Sequence, residues 1–227
     1  MAERKRLPRE RKQGNILLAL VLTLFIFTAA VVLVLNFKWL YYIDITILGL
    51  EEKSGMTVKE IRANYDALIQ YNQFWFHGDL KFPTLFMSET GRIHFQEVKQ
   101  IFTAVQYLCM GSGIASLIGI IRHARSRRRG YLKIAGILTF AIPLLLGALA
   151  AVSWERFFVV FHRIFFRNDY WLFDSRTDPV ILILPDAYFL HCALLILLLI
   201  VLGGLFCFWI YGKRKRAAAQ KRRGRGR

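Results

Sequence analysis

Four apolar runs, each close to the length of a membrane crossing, constrain this chain more than any other feature. They occupy residues 15–37, 101–121, 132–153 and 187–211, and only Lys133, near the start of the third, interrupts them with a charge. A helix rising ~1.5 Å per residue needs ~20 residues to cross the ~30 Å hydrocarbon core. In lipid, every backbone amide and carbonyl must find its partner within the protein, which helices do segment by segment. The runs therefore predict an all-α membrane protein with four transmembrane helices. The first run follows six Lys and Arg residues, as the apolar part of a signal peptide would. It is longer than the ~7–15 residues of such a segment and continues past the small pair Ala29-Ala30, so a retained anchor is expected.

The charges between the runs set an orientation. Of 32 Lys and Arg residues, 21 lie in the arm 1–14, in the short loop 122–131 extended to Lys133, and in the tail 212–227. Only Glu3 and Glu10 of the 15 acidic residues accompany them. Loops rich in Lys and Arg stay in the cytoplasm. Both termini are thus expected inside, and residues 38–100 and 154–186 outside, forming a small extracellular cap. The formal net charge of +17 is read as topology and contact with anionic membrane lipid. No interleaved basic and aromatic platform suggests a nucleic acid partner. The three cysteines, Cys109, Cys192 and Cys207, fall inside the apolar runs, so no disulfide framework is predicted outside. Buried cysteines of this kind behave as small apolar residues.

In the first outer segment, Ile43-Asp44-Ile45-Thr46-Ile47 alternates with period two and predicts a short half-buried β-strand. Ser54-Gly55 marks a turn. Thr57 followed by Glu60 has the form of a capping box, opening a helix to about Asn72 with Ile61, Tyr65, Leu68 and Ile69 on one face. A second helix is expected from Glu89, with His94, Val98, Ile101, Val105 and Leu108 on one face, so that His94 stands two turns above the second span. In the other outer segment, Trp154–Phe166 is expected to continue the third span, with His162, Phe165, Phe166 and Asp169 sharing a face. Ser175–Pro179 reads as a turn. Val180–Leu184 is too short to span, and Pro185 is expected to open the last helix.

The stretch 161–185 gathers His162, Asn168, Asp169, Trp171, Asp174 and Asp178 among Phe and Tyr residues. Polar groups beside a membrane are costly unless paired or used. Among the five histidines, His123 reads as solvated in the basic loop, His77 as exposed at a loop tip, and His191 as a helix-packing group or a third site residue. His94 and His162 differ: each stands on an apolar face just outside the membrane, at one depth, from different outer segments. An imidazole accepts and returns protons near neutral pH. A metal pair is the alternative use, with a third ligand from Asp169, Asp174 or Asp178; no HxxxH or HExxH spacing supports it. No GxSxG or phosphate-binding loop is present. A transporter would place polar groups at mid-membrane, whereas these gather at the outer interface, which suits an amphipathic substrate.

Residues 91–102, GRIHFQEVKQIF, carry an H-x-x-[DE]-V-K pattern, and 161–185 carry F-H-x-I-F-F-x-N-D-x-W…D…T-D-x-x-I-x-x-x-P. With Asn64-Tyr65 and Tyr71-Asn72, these resemble the bacterial lipoprotein intramolecular transacylase family of four-span membrane proteins. The basic tail matches no part of it. The resemblance implies an acyltransferase acting on diacylglyceryl-modified lipoproteins at the outer face of the cytoplasmic membrane. It moves the sn-2 acyl chain to the α-amine of the lipoprotein's N-terminal Cys and needs no cofactor or metal. The family's catalytic pair carries over to His94 and His162. As supporting residues we expect Asn168 or Asn72 at the oxyanion and Asp169 or Asp178 orienting an imidazole. Phe161, Phe165, Phe166, Tyr170 and Trp171 are expected to form the walls, with Tyr71 and Lys99 nearby. Lys99 and Arg163 are alternatively structural partners of those Asp residues. A non-enzymatic membrane protein that binds or assists lipoproteins would use the aromatic cap without both imidazoles.

Overall fold

The computed structural model describes residues 8–124 and 130–223. The basic residues Arg4, Lys5, Arg6, Arg125, Arg127, Arg128, Arg129, Arg225 and Arg227, counted above toward topology, lie outside the described residues. The described residues form nine α-helices and no strand: α1 (Pro8–Asn36), α2 (Lys38–Ile47), α3 (Leu50–Ser54), α4 (Val58–Tyr71), α5 (Glu89–Ala124), α6 (Gly130–Val152), α7 (Trp154–Phe165), α8 (Val180–Ile183) and α9 (Asp186–Arg223). Four segments are long and apolar enough to cross a membrane: Asn15–Asn36, Glu89–His123, Gly130–Val152 and Asp186–Lys213. At most a third of the most apolar stretch of each is buried within the protein. The remaining apolar faces are left for lipid.

The chain divides into two compact units. One comprises Met1–Ala29, Leu108–Leu145 and Leu197–Arg227. Its core is built from Leu18, Ala19 and Leu22 of α1, Tyr131, Leu132 and Ala135 of α6, and Cys207 of α9. Small residues bring these helices close, as expected where lipid removes the usual hydrophobic drive between them. A Cβ on Gly136 would lie 2.9 Å from the Phe208 ring, and one on Gly113 would lie 2.9 Å from Phe25. His123, expected to be solvated, is half-buried instead. Its Nδ1 lies 2.9 Å from the Gly119 carbonyl, and its ring meets the edge of Tyr131.

The other unit, Ala30–Tyr107 and Leu146–Ile196, contains α2–α4, α7 and α8. Its core joins Tyr41, Ile45, Leu50, Ile61, Tyr65, Val180, Ile183 and Tyr188. Tyr41 stacks on Tyr65 at 3.7 Å and donates to the Ile183 carbonyl at 2.7 Å, while the Tyr65 and Tyr188 hydroxyls meet at 2.6 Å. Each of these three phenols thus has a partner, as burial requires. The one-turn α8 sits in this core, with Val180 and Ile183 buried.

The strand expected at 43–47 is helical. In α2 the buried residues are Tyr41, Asp44 and Ile45, a helical spacing of three and four. Trp39, Ile43 and Ile47, four residues apart, form an exposed apolar stripe. The period-two alternation was a product of Ile residues serving two opposite helix faces. The capping box is present as expected: the Thr57 hydroxyl accepts from Glu60 N, and Thr57 N donates to the Glu60 carboxylate at 2.9 Å. Nor does Trp154–Phe166 continue the third span. Ser153 takes an extended conformation (φ −164°, ψ 110°) and its Oγ accepts from Arg156 N, so α7 starts afresh. A serine followed by Glu155 in the first turn is a helix-start signal that the aromatic run obscured. The last helix begins at Asp186, with Pro185 one residue outside it.

Candidate active site

The first three turns of α5 carry Glu89, Arg92, Glu97 and Lys99 and precede the apolar stretch that starts at Ile101. The helix start is tied to the distant segment 161–185. Ser88 N donates to Asp178 Oδ1 at 2.8 Å, and Thr177 Oγ1 donates to Oδ2 at 2.9 Å. The Ser88 hydroxyl in turn accepts from Gly91 N at 3.0 Å. Asp178 is 2% exposed, and the negative charge at a helix N-terminus is favoured by the exposed amides and the helix dipole. Gly91 is required here, because a Cβ would collide with the Asp178 carboxylate. One helical turn later stands His94.

His162 is on α7. Its Nδ1 lies 2.8 Å from the Phe158 carbonyl. A carbonyl only accepts, so Nδ1 carries the hydrogen, and in the neutral ring Nε2 holds the free lone pair. The ring is held between Phe158, at 4.1 Å between centroids, and Trp171, stacked at 4.8 Å. His94 packs against Phe166 at 4.7 Å and Phe173 at 5.4 Å. The two imidazoles lie 6.2 Å apart at an interplanar angle of 32°, with Phe166 touching both. His94 is 5% exposed, and its Nδ1 is buried without a hydrogen-bond partner among the described residues.

Both rings are held neutral at physiological pH. Burial, and secondarily the neighbouring His162, lowers the His94 pKa from 6.5 to about 4. Burial also lowers that of His162, although the Phe158 carbonyl opposes the shift. Desolvation disfavours the charged imidazolium in each case. No carboxylate is within ion-pairing distance of either ring to counter this among the described residues, where His191 is the one histidine so paired.

Asn168 joins the two halves. Its Nδ2 donates to Glu97 Oε1 at 2.9 Å, its side-chain oxygen accepts from Tyr170 N, and its carbonyl accepts from Trp171 Nε1 at 3.1 Å. The residue expected at an oxyanion thus braces, through its main-chain carbonyl, the tryptophan that stacks on His162. Glu97, in the motif but absent from the expected site, is the residue that sequence reasoning missed. Its i,i+3 relation to His94 was the available signal. Glu97 lines a cleft of about 430 Å³ together with Gln100, Ile101, Ala104, Phe165 and Arg167.

The remaining candidates lie elsewhere. Lys99 donates to the Phe76 carbonyl at 2.8 Å and sits 4.2 Å above the Tyr71 ring, so its partners are not the Asp residues expected of it. Asn72 is buried and donates to the Leu68 carbonyl, and its own carbonyl accepts from Gln106 at 2.8 Å. Asp169 and Arg163 are exposed. Asp174 pairs with Arg176, and Asp178 caps α5 rather than an imidazole. Among the described residues, no three His, Cys, Asp or Glu gather as a ligand set. His191 Nδ1 lies 2.9 Å from both oxygens of the buried Asp44, tying α9 to α2. His77 is exposed.

Among curated proteins, none matches this sequence. The family model for "Lipoprotein intramolecular transacylase Lit" matches residues 16–189. A solved structure of the membrane-integral lipoprotein intramolecular transacylase Lit from Bacillus cereus is 36% identical, with a TM-score of 0.92 over 94% of this chain and 100% of the other. Two structures of the same Bacillus cereus protein, with one histidine replaced by Arg or by Ala, are 35% identical. Each has a TM-score of 0.85; they cover 94% and 93% of this chain and 95% and 96% of their own. The family model spans well over half the chain, and the solved structures match nearly all of it. This chain belongs to the lipoprotein intramolecular transacylase Lit family, a family of membrane-integral acyltransferases.

Proposed function

We propose that the chain moves the sn-2 acyl chain of a diacylglyceryl-modified lipoprotein to the α-amine of that lipoprotein's N-terminal Cys, with His94 and His162 as the acid/base pair. The site faces outward at the cytoplasmic membrane surface, and both termini are inside, in keeping with the basic arm, loop and tail. The observation that carries the catalytic reading is the pair itself: two neutral imidazoles from separate outer segments, 6.2 Å apart in an aromatic enclosure.

The reaction needs one proton moved across a short distance. The neutral α-amine attacks the ester carbonyl carbon, and His162 Nε2 takes the amine proton as the C–N bond forms. The tetrahedral intermediate then collapses, the C–O bond to glycerol breaks, and the glyceryl oxygen receives that proton. An amide and a free hydroxyl result, and no acyl-enzyme is formed. Two rings this close do not readily hold two protons, because like charges in a desolvated site repel. The pair therefore rests unprotonated and carries a single proton in the intermediate. His94 stands beside the developing charge and either donates to it or relays the proton. Such catalysis is worth ~10²–10⁴-fold. Holding amine and ester together contributes more, out of the ~7–11 kcal/mol that proximity can supply.

The test is co-expression with a diacylglyceryl lipoprotein, followed by mass spectrometry of its N-terminal lipopeptide. An N-acylated lyso product is expected. A free amine with both O-linked chains intact overturns the reading.

A further inference from the structure

Glu97 has one oxygen occupied and one not. Oε1 accepts from Asn168 Nδ2, whereas Oε2 is buried and has no partner among the described residues. A carboxylate oxygen only accepts, so a buried one without a donor forfeits its solvation unless something else supplies an N–H or O–H. The residue lines the cleft described above and follows His94 by one helical turn on α5. Arg167 lines the same cleft without forming an ion pair to it among the described residues. The cleft is graded: Glu97, Gln100 and Arg167 are polar, and Ile101, Ala104 and Phe165 are apolar. Its lining thus runs from the charged start of α5 into the apolar stretch.

The geometry points to Glu97 as the anchor of the substrate's α-amine, and this rests on the transacylase reading above. A primary amine offers N–H donors whether neutral or protonated, and a carboxylate fixed by Asn168 accepts one of them. Held through one N–H, the amine directs its lone pair toward the ester while the acyl chain lies along Ile101 and Ala104. Glu97 takes no proton in the acyl transfer itself. An α-ammonium releases its extra proton to solvent before attack, and the second proton follows the imidazole route. Asn168 is then a positioning residue that holds Glu97 and Trp171 together.

Two unreactive lipopeptides test this, both with an ether in place of the sn-2 ester. One has a free N-terminal amine and the other an acetylated one. Their binding to the full chain in lipid nanodiscs is measured directly. The unsubstituted protein is expected to prefer the free amine by about tenfold or more, the range of a hydrogen bond to a charged group. Glu97→Gln retains an oxygen for Asn168 and loses the charge; it is expected to bind both within about twofold, with an unchanged melting temperature. Retention of the full preference by Glu97→Gln overturns the inference. Should that variant not fold, equal binding of the two analogues by the unsubstituted protein overturns it, and a tenfold preference upholds it. Failure of the transacylase reading is seen separately, as an ester substrate left unacylated on nitrogen by the unsubstituted protein.

Discussion

Replacing Gly91 by Ala sets two effects of known sign against each other. In an open helix position the change would stabilise by about 1 kcal/mol through helix propensity. Here the new Cβ would run into the Asp178 carboxylate, with Asp178 Cγ at 3.1 Å and Met87 Cγ at 3.3 Å. Asp178 is 2% exposed and cannot swing into water. Its retreat breaks the 2.8 Å bond from Ser88 N, a hydrogen bond to a charged group worth about 1.5–3 kcal/mol. Overpacking adds roughly 1–3 kcal/mol. The net expectation is a loss of about 1.5–5 kcal/mol, read by chemical denaturation in detergent. The rate should suffer in the molecules that stay folded, because His94 is only three residues on, and a displacement of about 1 Å near the chemistry costs on the order of 10²-fold. Lipopeptide mass spectrometry over time measures this. A variant that is more stable than the original and equally fast would refute the idea that Asp178 sets the height of His94.

Stability should depend on pH in a stated window. Because burial lowers the His94 pKa to about 4, the unfolded chain takes up a proton below pH ~6.5 that the folded chain refuses. Stability from this ring is therefore complete above pH ~6.5 and falls between there and about 4, by roughly 2 kcal/mol at pH 5. Denaturation of His94→Gln should show a shallower slope in that range; an unchanged slope contradicts the burial argument. Asp44→Ala should cost about 1–3 kcal/mol, since it removes the buried acceptor of the half-buried His191 Nδ1, whereas Asp44→Asn should cost less; equal losses in both would point to packing alone. Trp171→Phe keeps a ring on His162 but loses the bond to the Asn168 carbonyl. A roughly tenfold lower rate with little change in melting temperature is expected, and a loss confined to stability would make Trp171 merely a core residue.

What could be read from the chain follows a physical line. Apolar runs of span length and the Thr57–Glu60 box are local signals, and local chemistry decides them. His94 and His162 stand out because each lies at the same height beside an apolar run, and height along a helix is a sequence property. The α2 helix escaped because residues 43–47 satisfy two periods at once, and burial of Tyr41 against Tyr65 and Ile183 settles which prevails. Asp178 and Asn168 stand out in the sequence as polar groups too costly to leave idle, but their partners do not. Their bonds run to Ser88 and Glu97, 90 and 71 residues away, and no periodicity reports a partnership made only by folding. Glu97 was hidden for the same reason: its unpartnered oxygen becomes visible only once Asn168 has taken the other one.

The central claim is that two imidazoles, and no enzyme nucleophile, move the acyl chain. The most direct measurement is single-turnover acyl transfer by His94→Ala and His162→Ala proteins, reconstituted with a diacylglyceryl lipopeptide and followed by mass spectrometry of the N-terminus. The account predicts that each variant still binds the ether analogue and that N-acyl product forms at least ~10²-fold more slowly, with acyl-modified protein at no time. Transfer at the original rate by either variant, or an acyl group found on the protein chain, would contradict it.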